Sequence, residues 1–94
     1  MSWSIYIITN IPNGVLYIGQ SKRLKERIYQ HKIKSHPNTF SARYNLDKLV
    51  YFENHDIQDN ARMREKQLKK WNRDWKIELI ENTNPEWLDL YKNL

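Results

Sequence analysis

Asn13-Gly14 constrains this chain more than any other pair of residues, because it separates two apolar, β-branched or aromatic runs, Trp3 to Asn10 and Val15 to Gln20. Asn and Gly tolerate the positive φ that both central positions of a type I′ turn require, so the pair predicts a tight antiparallel hairpin. With Asn13 and Gly14 as the loop, Pro12 pairs with Val15 and Asn10 with Tyr17. Strand side chains alternate with period 2, so Tyr6 and Tyr17 then project from one side of the sheet. A four-residue loop preserves this parity, whereas a three- or five-residue loop separates the two phenols. The hairpin thus sets Ser4-Ile5-Tyr6 beside Tyr17-Ile18-Gly19. Gly19 packs nothing in a strand and costs stability there, which marks a place where another backbone or a ligand comes close; a nucleic-acid backbone is one such ligand.

After the hairpin the period changes. From Ser21 as N-cap, Leu24, Ile28 and Ile33 carry a helical stripe to about Lys34, and Ser35-His36-Pro37-Asn38 ends it. Leu46 to Asn54 alternates, with apolar residues on both faces towards its end, as a covered third strand does. Asp56 is placed to cap a helix through about Asn72, with Ile57, Ala61, Leu68, Trp71 and Trp75 recurring every three or four residues. Trp75 to Leu79 fits either period and is read as helix, and Asn84-Pro85-Glu86 opens a short final helix that docks Trp87, Leu88 and Tyr91.

Ninety-four residues suffice for one modest core, so the expectation is a single domain over 1–94. Aromatic residues at 13%, including four tryptophans, supply bulk for that core despite the low mean hydropathy. Sixteen Lys and Arg against eleven Asp and Glu give a net charge of +5, which favours an anionic partner such as nucleic acid, although many small proteins with this excess bind nothing acidic. The absence of cysteine excludes disulfides, thiolate metal sites and iron–sulfur chemistry. No apolar run reaches the roughly 18 residues of a membrane span, and the N-terminal run is too polar-interrupted for a secretory signal, so the expected location is the cytoplasm.

Several side chains are suited to chemistry. Arg23, Arg27 and His31 follow one another at i, i+4 spacing on one helix face. Such a row is either a solvated basic flank or, turned towards the tyrosines, a phosphate clamp in Arg27 with a proton acceptor or relay in His31. Glu65 lies four residues after Ala61 and three before Leu68, on or beside the apolar stripe. A carboxylate there needs a partner, either a basic neighbour such as Arg62 or Lys69 or a hard divalent cation. Strand tyrosines commonly cap a core, and two beside a glycine are also candidates for catalysis. His36 and His55 have no spacing that makes a metal site with His31.

With both triplets, the helix bearing Arg27 and His31 and the later helix bearing Glu65, the chain resembles the GIY-YIG nuclease superfamily. It is most similar to its small, single-domain bacterial members, through Thr9-Asn10, Leu16-Tyr17-Ile18-Gly19-Gln20, Arg43-Tyr44-Asn45, Leu49 to Glu53, Arg64 to Trp71 and Asn84 to Trp87. The resemblance implies an α+β fold with a three-stranded antiparallel sheet flanked by helices. It also implies hydrolysis of DNA phosphodiester bonds, RNA not being excluded, with Mg²⁺ or Mn²⁺ as cofactor. By the same resemblance Tyr6, Tyr17, Arg27 and His31 are catalytic and Glu65 holds the metal, with Arg23, Gly19, Arg43 and Tyr44 along the nucleic acid. Ser4 stands where the first glycine of the name-giving motif would be.

The chemistry suits those roles. Attack on a phosphodiester builds negative charge that Arg27 and a cation on Glu65 would stabilise, each by about 10²- to 10³-fold. Water is the nucleophile, and Tyr6 or Tyr17 can take its proton if positive charge lowers a phenol pKa of about 10. No sequence-reading unit is visible, so specificity would come from substrate shape or a protein partner. The alternatives are a non-catalytic nucleic-acid module with a basic helix face, and a protein-interaction domain built on exposed tryptophans.

Overall fold

The fold is known from a computed structural model that describes residues 2–94. Three antiparallel strands, β1 (Trp3–Thr9), β2 (Leu16–Ser21) and β3 (Lys48–His55), form a sheet in the order β2-β1-β3. Helices α1 (Leu24–Lys32) and α2 (Phe40–Arg43) lie between β2 and β3, and α3 (Gln58–Lys70) and α4 (Arg73–Thr83) follow, before a 3₁₀ turn at Leu90–Asn93. This is the α+β architecture expected from the sequence.

The central strand is buried on both faces because its two sets of side chains enter separate cores. Ile5 and Ile7 join Ile18, Val50, Ala61, Leu68, Ile80 and Trp87 under α3 and α4. Tyr6 and Ile8 join Leu24, Ile28, Leu46 and Leu49 under α1 and the C-terminal turn. Period-2 alternation therefore sends Tyr6 to the α1 side, and Leu24, Ile28 and His31 meet it from a 3.6-residue period.

The hairpin keeps the expected parity but not the expected turn. Ile8 pairs with Tyr17 and Tyr6 with Gly19, so both phenols share a face. The register is that of the four-residue loop. Ile11 to Gly14 forms the turn, closed by Gly14 N–H on the Ile11 carbonyl at 2.9 Å, with Pro12 and Asn13 as its central residues. Asn13 has φ 60° while Gly14 has no positive φ, which fits a type II turn led by proline rather than type I′. Asn10 Oδ1 accepts from Ile11 N and Val15 N, both at 3.0 Å, and a Cβ on Gly14 would lie 2.1 Å from that oxygen. Gly14 makes room for the Asn10 side chain.

Other boundaries moved for identifiable reasons. Helix α1 starts at Leu24, because Ser21 completes β2 and uses its hydroxyl to accept from Arg23 N at 3.0 Å. It ends at Lys32 in a Schellman arrangement, Lys34 N to His31 O and Ser35 N to Gln30 O, with Lys34 at φ 54°. Helix α3 starts after Ile57 rather than after Asp56. Asn72 caps α4 by accepting from Trp75 N at 2.9 Å, which resolves the Trp75–Leu79 segment as helix. The expected final helix opening at Asn84 is not formed. Asn84 is buried, and its side chain donates to the Val50 carbonyl at 3.1 Å and the Leu88 carbonyl at 2.9 Å, while Trp87 turns at φ 57°. Trp87 docks, Tyr91 packs partly against the Tyr6 side, and Leu88 stays exposed.

The β1–β3 ladder contains a bulge, since Ile7 pairs with Tyr51 and Ile8 with Leu49, leaving Val50 as the extra residue. Its carbonyl goes to Asn84, and Leu49 N–H goes to Asp89 Oδ1 at 3.1 Å. No helix among the described residues is long and apolar enough to cross a membrane.

Candidate active site

Tyr6 is the hub of the site. Its ring lies across Gly19, where a Cβ would stand 2.5 Å from the hydroxyl oxygen and 2.6 Å from Cζ. The space that Gly19 leaves is therefore filled by the opposite tyrosine of the pair, which gives this glycine a packing role. From α1, His31 Nε2 meets the Tyr6 hydroxyl at 3.0 Å, and His31 Nδ1 meets Ser41 Oγ at 3.1 Å. Ser41 Oγ lies 3.3 Å from Thr39 Oγ1, which donates to the His36 carbonyl at 2.8 Å.

That last carbonyl sets the direction of the whole chain, because it can only accept. Thr39 donates to it and accepts from Ser41. Ser41 in turn accepts the Nδ1 proton of His31, leaving Nε2 with a lone pair for the Tyr6 hydroxyl. Charge agrees with this polarity. Burial, with Arg27 and then His36 as positive neighbours, pushes His31 down to about 4, so the ring is neutral near pH 7. Burial pushes the Tyr6 phenol up to about 12, and the Arg27 guanidinium beside it offsets only part of that rise. The charges of Tyr17 and Glu65 also reach Tyr6 and add to the rise.

Tyr6, Tyr17, Arg27, His31 and Glu65 are thus brought together, from two strands and two helices. The helix row predicted as one face grades inwards. Arg23 has a side chain 78% exposed and paired with Glu26 at 3.3 Å, Arg27 is half-buried, and His31 is 7% exposed. Tyr17 is half-buried, 6.1 Å from the His31 ring and 6.5 Å from the Phe40 ring. Arg43 and Tyr44 lie on or beside α2, exposed, with Tyr44 packed on Phe40 at 4.7 Å. Helix α2 itself, with Thr39 as its N-cap, was not read from the sequence, so Ser41, Thr39 and Phe40 were missed. The signal available was Thr39 as a cap residue before Phe40, Ala42 and Arg43.

Glu65 forms one ion pair among the described residues, with Lys69 Nζ at 3.4 Å, and its side chain is 19% exposed. No cluster of three His, Cys, Asp or Glu side chains forms among the described residues. The donor set therefore fits a hard divalent cation held by one carboxylate, with waters and substrate oxygens completing its shell. It does not fit a closed cage of protein ligands. On the α3 face of β2, Gln20 Oε1 is buried without a partner.

The sheet therefore carries a tyrosine pair beside a helix arginine and histidine, with a carboxylate from a second helix nearby. The model of the GIY-YIG catalytic domain matches residues 2–78, and the chain belongs to that family. Membership implies DNA cleavage of the nuclease type, and nucleases of this family typically use a divalent metal. No curated protein and no solved structure matched the chain.

Proposed function

We propose that the protein is a metal-dependent endonuclease of DNA, in which Tyr17 activates the attacking water, Arg27 stabilises the phosphoryl transition state and Glu65 holds the cation. The observation that carries this reading is the buried Tyr6 hydroxyl held by His31 at 3.0 Å, with Arg27 beside it and the charge of Glu65 within reach. The two phenols divide the work. Tyr6 is buried, holds its proton up to about pH 12 and donates it to a neutral histidine, so it orients and packs the site. Tyr17 is partly open to solvent, and no side chain among the described residues holds its hydroxyl, so its oxygen is the one that an attacking water can reach.

Arg27 is half-buried beside the phenols, where a guanidinium matches a phosphate's paired oxygens and is screened less than at the surface. A Mg²⁺ or Mn²⁺ ion on Glu65 would supply charge stabilisation to the phosphoryl and leaving oxygens. His31 keeps Tyr6 fixed through its second bond to Ser41. Arg23, Arg43 and Tyr44 border this centre as nucleic-acid contacts. The cytoplasm as location, and a protein partner that supplies specificity, belong to the same proposal.

Cleavage of labelled duplex, nicked, flapped and single-stranded DNA with Mg²⁺ or Mn²⁺ tests it. Wild-type cleavage should need the cation, Glu65→Ala should remove it, and Tyr17→Phe should lower turnover more than binding. Unchanged cleavage in both variants sinks the assignment. DNA binding without cleavage on any substrate would instead mark a non-catalytic nucleic-acid module.

A further inference from the structure

Phe40 and Tyr44 are each 49% exposed, and they stand four residues apart on one side of α2. Their ring centroids are 4.7 Å apart, and Phe40 continues to Tyr17 at 6.5 Å with the planes 30° apart. The three rings make a row that leads from the candidate active site into solvent. Core packing does not explain the outer two, because Ser41 and Ala42 are the buried residues of this helix. The surroundings are cationic. Residues 27–46 contain no Asp or Glu but carry Arg27, Lys32, Lys34 and Arg43. Lys32 is engaged by Asp89 at 2.6 Å, whereas among the described residues Arg27, Lys34 and Arg43 form no ion pair. A recess between α1 and α2, lined by Arg27, Lys34, His31 and Ser41 among others, lies on the inner side of the same helix.

We propose that Phe40 and Tyr44 form a stacking platform for an unpaired nucleobase of the strand being cut, so that the substrate is DNA with unpaired bases beside the scissile phosphate. The proposal rests on the nuclease reading for the place of that phosphate, near Arg27 and Tyr17. The physical basis is the availability of base faces. In a continuous duplex each face is covered by its neighbours, whereas an unpaired base can lie on an aromatic ring at little cost. The free cations beside the rings attract the backbone that carries such a base. Continuity with Tyr17 fixes which strand the platform serves.

Fluorescence anisotropy in EDTA, where no cleavage occurs, tests this on a hairpin with a single-stranded tail and on a blunt duplex of equal length. Two variants are compared with the wild type. Phe40→Leu with Tyr44→Leu keeps apolar bulk and removes both π faces, and Phe40→Tyr with Tyr44→Phe keeps them. The leucine variant should bind the tailed DNA roughly 5- to 150-fold more weakly, with a clearly smaller loss on the blunt duplex. Abasic sites in the tail should weaken the wild type to a similar extent, and the ring-preserving variant should bind normally. Equal loss on both DNAs, or no loss on the tailed one, overturns the platform, and lack of binding to any DNA overturns the nuclease reading with it. Tail-selective binding that depends on the rings, in a protein that cleaves nothing with Mg²⁺ or Mn²⁺, supports the platform while the nuclease reading fails. Glu65-dependent cleavage of tailed and blunt DNA at equal rates, unaffected by the leucine variant, does the reverse.

Discussion

Glu53 and Glu65 are two carboxylates of equal exposure, 19% each, with opposite surroundings. Glu53 sits on β3 and accepts from the Tyr51 hydroxyl at 2.6 Å and from Arg64 Nε at 3.0 Å, with His55 Nε2 at 2.6 Å as a third partner. Those bonds outweigh burial and hold its carboxyl below the usual range. Arg64 stacks in turn on Trp71, 5.2 Å from the ring centroid. Glu65, one residue further along α3 than Arg64, has only the loose pair with Lys69. A buried charge with its partners supplied serves the fold, and one left short of partners is free to bind something else. The polar cluster around Glu53 is thus a structural staple, whereas the Glu65 carboxylate is the one that the proposed function gives to a cation.

The contrast can be broken most directly by removing each charge. Glu65→Gln should lower metal-dependent cleavage by about 10²- to 10³-fold with little change in unfolding free energy. Glu53→Gln should do the opposite, costing about 3 kcal/mol in denaturant unfolding, because Arg64 loses its partner, while the remaining folded enzyme cleaves normally. A stability loss as large for Glu65→Gln as for Glu53→Gln would erase the distinction.

Acid titration separates the two regions by pH. His31 is held down at about 4 when folded and lies near 6.5 when unfolded, so the unfolded chain binds the extra proton first. Stability should therefore fall as pH drops from about 6.5 to 4, by on the order of 2 kcal/mol from this group, and His31→Asn should flatten that part of the curve. Glu53 acts lower. Its folded pKa is depressed, so its contribution is present above the unfolded value of about 4.5 and is lost as pH falls further. A His31→Asn protein with the wild-type profile above pH 4.5 would sink the buried-neutral-histidine account.

The smallest effect sharpens the comparison at Glu65 itself. Lys69 is 54% exposed and 3.4 Å away, so Lys69→Ala should change stability by less than about 0.5 kcal/mol. Divalent-cation binding, read by titration calorimetry, should hold or strengthen without the competing ammonium. A marked loss of binding would make Lys69 part of the site.

Periodicity made the sheet, helices α1 and α3 and the facing of the tyrosines legible, because each rests on alternation that burial enforces, whereas Trp75–Leu79 fits either period and the Asn72 cap decides it. The convergence of Arg27 and His31 on those tyrosines required a resemblance, since a basic helix row reads equally as a solvated flank. Helix α2 escaped because four residues are too few for a period, and its ordering depends on Ser41 reaching a histidine ten residues away. Asn-Gly points to a type I′ turn, but Pro12, whose fixed φ suits the position before Asn13, sets the turn one residue earlier. In the C-terminal segment Asn84 carries an N-cap's chemistry but donates its side-chain amide to a strand carbonyl, so no helix opens there.

That strand carbonyl has a further consequence. A bulge at a sheet margin leaves backbone groups that another chain can recruit as an added strand. At β3 two of these groups are already taken, by Asn84 and Asp89, both beyond the residues matched by the family model. The segment that carries Asn84 and Asp89 therefore occupies two backbone groups of the edge strand β3 that an added strand would otherwise need.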